Sequence, residues 1–84
     1  MEEQFNEHVA RMRSKETPTS DQDLLILYGL YKQVTIGDCN IAQPWRVQTE
    51  QYARWEAWYN YYGMTRAMAM AKYIEKVDEI TREH

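Results

Sequence analysis

Tyr28, Tyr31 and Lys32 stand at i, i+3 and i+4, the spacing that puts side chains on one face of a helix. Two tyrosines offer ring faces and hydroxyls, and the lysine offers a mobile cation. Together they could seat a purine ring beside a phosphate. The same spacing suits a tyrosine rim around a core, with the lysine stem lying along it. Spacing alone supports both. Arg13, Arg54 and Lys72 are further cations that could meet an anion or face solvent. Glu50 precedes Arg54 by one turn, so a surface ion pair competes for that guanidinium.

Other chemistries find less support. His8 and His84 are the only histidines, and neither has a cysteine or carboxylate at a ligand spacing shared with the other. No metal site is expected. Cys39 lies between Asp38 and Asn40, with no histidine nearby in sequence, and reads as a free, partly buried loop thiol. No nucleophile elbow, phosphate-binding glycine loop or paired-carboxylate signature occurs. The chain is therefore expected not to be an enzyme.

Four helices account for the periodicity. Phe5, Val9 and Met12 form a stripe on a helix over about 3–14. Pro18 prevents its continuation. Ser20 is placed to cap a second helix over about 21–36, with Leu24, Leu27, Tyr31 and Val34 on one face. Gly37 fits the left-handed position after a helix. Twelve residues, Gly37 to Gln48, then form a loop long enough to return the chain along the molecule. Thr49 is expected to cap a third helix over about 50–62, striped by Tyr52, Trp55, Tyr59 and Tyr62. Trp55 and Trp58 read as core. Thr65 caps a fourth helix reaching about residue 82, with Met70, Ile74, Val77 and Ile80 inward.

The chain has 84 residues, 44% of them apolar, a single cysteine and a net charge of -3. This describes one domain over residues 1–84 with no internal disulfide. The net charge gives no general attraction for nucleic acid. The longest apolar run, Leu24 to Tyr31, is far short of the roughly 20 residues a membrane span needs. The first residues, Met1-Glu2-Glu3, do not resemble a signal or transit peptide. A reducing, cytoplasmic setting is expected.

Three stretches, in order, carry a family resemblance. Leu27-Tyr28-Gly29-Leu30-Tyr31-Lys32-Gln33-Val34-Thr35-Ile36-Gly37-Asp38-Cys39-Asn40 closely resembles the YxxYKQAT-GD-N signature of the acyl-CoA-binding protein family, the diazepam-binding inhibitor-like proteins. Ala53-Arg54-Trp55-Glu56-Ala57-Trp58 matches A-K-W-[DE]-A-W. Ala69-Met70, Tyr73-Ile74 and Lys76-Val77 match A-M-x-x-Y-I-x-K-V. Phe5 and Pro18 also fall where the family has them.

The resemblance implies an all-α, four-helix, up-down-down-up bundle in which the long loop is an overhand connection. It implies a monomeric, non-catalytic carrier of medium- to long-chain fatty acyl-CoA, with no cofactor. The carrier would shield the ester and deliver it to lipid enzymes. By position, Lys32 and Arg54 would hold the 3′-phosphate, Tyr31 would lie on the adenine, and Tyr28 and Tyr73 would contact the nucleotide. Arg13 would reach a phosphate, and Leu24, Leu25 and Val9 would line the acyl groove.

Four departures stand out. Arg54 replaces a lysine, Trp45-Arg46 replaces Gly-Met, and Glu50-Gln51-Tyr52 replaces a lysine-rich entry to the third helix. His8 and Val9 are bulkier than the family's residues there. The rival reading is a helical protein-interaction module on the same fold, with weak or lost acyl-CoA binding.

Overall fold

Local caps set the helix ends in the computed structural model, which describes residues 1–14 and 18–82. Helix α1 runs Glu2–Ser14, α2 Asp21–Thr35, α3 Thr49–Tyr59 and α4 Arg66–Arg82. His84 lies outside the described residues. Ser20 Oγ accepts the Asp23 N–H at 3.2 Å, satisfying one of the open donors of α2. Asp23, three residues after the cap, does not return its carboxylate to the Ser20 N–H as a capping box would. Its carboxylate instead pairs with Lys76 of α4 at 3.0 Å. At the other end Gly37 has φ +106° and donates to Lys32 O at 3.1 Å, the left-handed stop expected of a glycine. Thr65 Oγ1 caps α4 through the Met68 N–H at 3.2 Å.

Helix α3 departs from expectation at both ends. Its cap is Gln48, with no side-chain hydrogen bond, and Thr49 is already helical. Gln48 O takes the first helical bond from Tyr52 N at 2.8 Å, while its side chain turns back to the Trp45 N–H. The helix stops at Tyr59 because Tyr61 N and Tyr62 N bond three residues back, tightening the chain into turns that end at Gly63, φ +87°.

Pairs of contacts fix the helix directions. Glu2 meets Arg66 and His8 meets Asp78, so α1 and α4 run parallel. Asp23 meets Lys76, and Gln33 meets Met64 O, so α2 and α4 run antiparallel. Gly29 lies against Ala57, and Trp58 Nε1 donates to Gly37 O at 2.8 Å. The loop after α2 has therefore carried the chain back, and α3 runs parallel to α2. This is the up-down-down-up bundle. Backbone packing follows the order α3, α2, α4, α1. Helices α1 and α2 meet only through side chains such as Phe5 and Tyr31, whose stacked rings are 6.1 Å apart.

The core joins α1, α2 and α4. Phe5, Leu27, Leu30, Val34, Met70, Tyr73 and Val77 are buried in it, and Ile74 packs at its edge. The Tyr73 ring meets Phe5 edge-on at 5.0 Å. His8 is buried as well, facing Asp78 Oδ1 at 2.8 Å and Gln4 O at 2.6 Å. The bond from His8 holds the Asp78 carboxyl below the usual range, and Arg11 adds to this. Arg66 opposes the dipole of its own helix, and its pair with Glu2 at 2.7 Å offsets that.

Trp58 is core, but Trp55 is not. The Trp55 ring is half-buried in an exposed ladder, 5.8 Å from Tyr52 and 5.0 Å from Tyr59, with Tyr62 beyond. Its Nε1 donates to Ile41 O at 3.2 Å, so the long loop covers it where a helix would cover a core residue.

Two substitutions probe this frame. A Cβ on Gly29 would collide with Ala57 O, a backbone atom that cannot step aside. Helix propensity favours Ala over Gly by about 1 kcal/mol. Gly29→Ala is nonetheless expected to lower stability in urea by about 2 kcal/mol through overpacking; a stabilised variant would mean the helices are not in close contact.

Asp38 Oδ1 accepts from Gln33 Nε2 at 2.8 Å and from Gly63 N at 2.7 Å. These bonds, Gln33 first, hold its carboxyl below the ordinary value. A depressed carboxylate contributes stability above its unfolded value of about 4 and loses it as pH falls through the folded value. Asp38→Ala should therefore melt below the wild type at pH 7, with the gap narrowing below about pH 4. A gap independent of pH would exclude the carboxylate as its source.

Candidate functional site

The open seam between α1 and α2 forms two adjoining recesses. One, of about 480 Å³, has Phe5, Val9, Arg13 and Tyr31 in its wall. The second, of about 260 Å³, shares Val9, Arg13 and Tyr31 and adds Met12, Leu24, Leu27, Tyr28 and Tyr73. A third groove, of about 400 Å³, lies between the N-terminal halves of α2 and α3. Leu24 and Tyr28 recur there, with Leu25, Ala53 and Arg54, and with Asp21 and Glu50 at the rim.

Tyr28 and Leu24 thus form the ridge between the α1 side and the α3 side. Helical spacing explains this: residues four apart on α2 stack along one line, and that line is the crest. Leu24 is 48% exposed on it, a large apolar side chain left open at the meeting of two grooves.

Cations surround the ridge. Lys32 Nζ lies 5.8 Å from the centre of the Tyr28 ring and 5.3 Å from that of Trp58. Among the described residues neither Lys32 nor Arg13 has a carboxylate partner. Arg54 reaches Glu50 only at 3.9 Å, and both side chains are exposed. Such a pair is worth little and yields readily to a better anion. The Tyr73 ring is buried, and burial pushes its hydroxyl above the ordinary tyrosine value. Tyr31 reinforces that shift, and Arg13 opposes it. Arg13 is therefore electrostatically close to Tyr73, although it comes from a different helix.

Of the nine residues singled out in sequence, Val9, Arg13, Leu24, Tyr28, Tyr31 and Tyr73 share one recess. Leu24, Leu25, Tyr28 and Arg54 share another. Lys32 is in the wall of neither, and its ammonium lies 5.8 Å from the centre of the Tyr28 ring that they share. Leu25 and Val9 do not share a recess: Leu25 lies in the groove beside α3, and Val9 lines the seam from α1. Met12, Leu27, Ala53 and Asp21 were not singled out as site residues. The apolar stripes already contained Met12 and Leu27. Trp58, as a seat for Lys32, carried no signal beyond its place in the core. The arrangement gives unpaired or weakly paired cations, aromatic faces and apolar troughs within one connected surface. It suits an anionic head joined to an apolar tail.

A sequence profile described as Acyl CoA binding protein matches residues 2–77. The chain belongs to the acyl-CoA-binding protein family. An acyl-CoA-binding protein from Dictyostelium discoideum is 39% identical over 80 residues, covering 95% of each chain. Acyl-CoA-binding domain-containing protein 3 of Oryza sativa is 39% identical over 83 residues, 99% of this chain and 54% of that protein, so this chain spans about half of it. The crystal structure of Oryza sativa acyl-CoA-binding protein 2 superposes with a TM-score of 0.92 at 34% identity, covering 98% of this chain and 89% of that one. The stretch that resembles the family's signature maps to α2 and the turn after it, where Gln33 and Asp38 make the bonds described above and Lys32 lies beside the Tyr28 ring.

Proposed function

We propose that this protein is a non-catalytic carrier of medium- to long-chain fatty acyl-CoA, acting as an intracellular monomer that hands its cargo to lipid enzymes. One observation carries the reading: three helices direct Arg13, Lys32 and Arg54 to the neighbourhood of Tyr28, next to a trough walled by Leu24 and Leu25.

In this reading Lys32 and Arg54 hold the 3′-phosphate of the nucleotide from either side of Tyr28. Charge-assisted bonds to phosphate are short and strong, and the planar Arg54 guanidinium can make two at once. Tyr31 takes the adenine on its ring face, while Tyr28 and Tyr73 contact the nucleotide. Arg13 meets a further phosphate. The tail lies in the apolar troughs, with Leu24 at their junction, Leu25 on the α3 side and Val9 on the α1 side. No proton transfer or covalent step is asked of any residue. A net charge of -3 is no obstacle, because the ligand meets the local cations at short range.

The two halves of the ligand should act together. Burying four methylenes at about 0.8 kcal/mol each gives roughly a hundredfold in affinity. Calorimetry should show palmitoyl-CoA binding at least about a hundredfold more tightly than free CoA. Palmitate alone should be weak as well. Equal binding of palmitate and its CoA ester would remove the headgroup assignment. No binding of any of the three would leave the interaction-module reading.

Glu50 competes with a phosphate for Arg54 and places negative charge at the rim. Glu50→Lys should therefore tighten palmitoyl-CoA binding by up to about fivefold at low salt. The gain should fade as salt is raised, because exposed charges are screened over about 10 Å at 0.1 M. Equal dissociation constants for variant and wild type at low salt would place Glu50 outside the ligand's field.

A further inference from the structure

The departure at Trp45-Arg46 plays no part in the site described above. Gln48 N donates to Trp45 O at 2.9 Å, closing a tight turn with Arg46 and Val47 at its tip. Gln48 Oε1 also accepts the Trp45 N–H at 3.3 Å, so the backbone is held on both sides. The side chains on this fixed turn are turned outward: Trp45 is 80% exposed and Val47 87%. Arg46 is exposed too. Among the described residues Arg46 has no carboxylate partner, and the Trp45 indole N–H has no acceptor. Leaving a tryptophan and a valine in water at a rigid tip forgoes burial that both side chains favour.

The tip of the turn ends three residues before Glu50, which rims the groove between α2 and α3. It leads directly into α3, whose first residues, Glu50, Ala53 and Arg54, wall the groove opposite Leu24 and Leu25.

We propose that the Trp45-Arg46-Val47 turn docks this protein on a phospholipid surface, with the groove mouth facing the lipid. Each side chain matches a depth of that surface. Indole partitions to the headgroup level, with its N–H left to find an acceptor there. Valine reaches the acyl boundary. The Arg46 guanidinium complements a lipid phosphate and can bond it in two places. A protein partner is less well served, since a three-residue tip offers far less than the roughly 800 Å² per side of a stable interface. Glu50 and the net charge of -3 oppose an anionic surface. Apolar insertion therefore carries the docking, and zwitterionic lipid suffices. The purpose of docking rests on the acyl-CoA reading: a tail could pass between bilayer and groove with little exposure to water.

Co-sedimentation of the unliganded protein with vesicles tests the docking by itself. The wild type should partition onto phosphatidylcholine vesicles, with phosphatidylglycerol added in a second set. Trp45→Ser should lower the partition coefficient roughly tenfold, and Val47→Ser by a smaller factor. Arg46→Glu should weaken binding further when phosphatidylglycerol is present. Circular dichroism should show all three variants folded, because the replaced side chains are largely exposed. A wild type that stays in the supernatant with both vesicle types would overturn the proposal and leave the tip to a protein partner. So would Trp45→Ser binding vesicles as the wild type does. Vesicle-free titration separates the two readings: Trp45→Ser should bind palmitoyl-CoA with unchanged affinity. Vesicle binding by a protein that takes no palmitoyl-CoA would sustain the docking and remove the carrier reading.

Discussion

A single carboxylate oxygen, Asp38 Oδ1, ties the end of α2 to the turn between α3 and α4. It accepts from Gln33 Nε2 within α2 and from the Gly63 N–H in that turn. The Gln33 amide in turn donates to Met64 O at 2.9 Å. Both of its neighbours are acceptors, so the amide has one orientation. One residue further back, Gly37 O takes the indole N–H of Trp58 from α3. These bonds converge where the long loop leaves α2. A connection of thirteen residues, 36–48, costs entropy to close, and alone it would hold α3 only loosely. The polar clamp at its start fixes α2 against α3 and against the entry to α4 together.

Five of the nine candidate residues, Leu24, Leu25, Tyr28, Tyr31 and Lys32, lie on α2. It packs on α3 along one side, where Gly29 lets the backbones approach, and on α4 along another. Helix α1 is held by α4, through His8, Asp78, Glu2 and Arg66, and does not close against α2. An open seam is the result, bridged by the Phe5 and Tyr31 rings and flanked by the recesses that hold Arg13, Tyr28 and Tyr73. A bundle with α1 pressed onto α2 would gain burial and lose the site. The polar contacts of α1 go to α4, and its seam with α2 stays open.

Much of this was legible in the chain itself. Ser20, Gly37, Thr65 and the apolar stripes mark ends and faces through local chemistry, and local chemistry decided them. Periodicity identifies which residues share a face but not what covers it. Tyr52, Trp55 and Tyr59 form as good a stripe as any core face, yet a loop and solvent cover them. The end of α3 was read too late because aromatic spacing continues through Tyr62, while the backbone has already tightened. Tyr28, Tyr31 and Lys32 were ambiguous for a related reason. The cations near them, Arg13 and Arg54, arrive from helices whose placement no spacing reveals. The three-part resemblance implied that placement, because it spans segments distant in sequence.

The position of Lys32 has an optical consequence. Its ammonium lies 5.3 Å from the Trp58 ring, and Trp58 is only 3% exposed. A cation at that distance interacts with the indole's charge distribution, and excitation redistributes that charge. The emission energy of Trp58 thus depends on where Lys32 stands. An anion that draws the ammonium off the ring alters the field on a buried, water-shielded fluorophore. Any anion that displaced Lys32 would therefore register in the emission of Trp58.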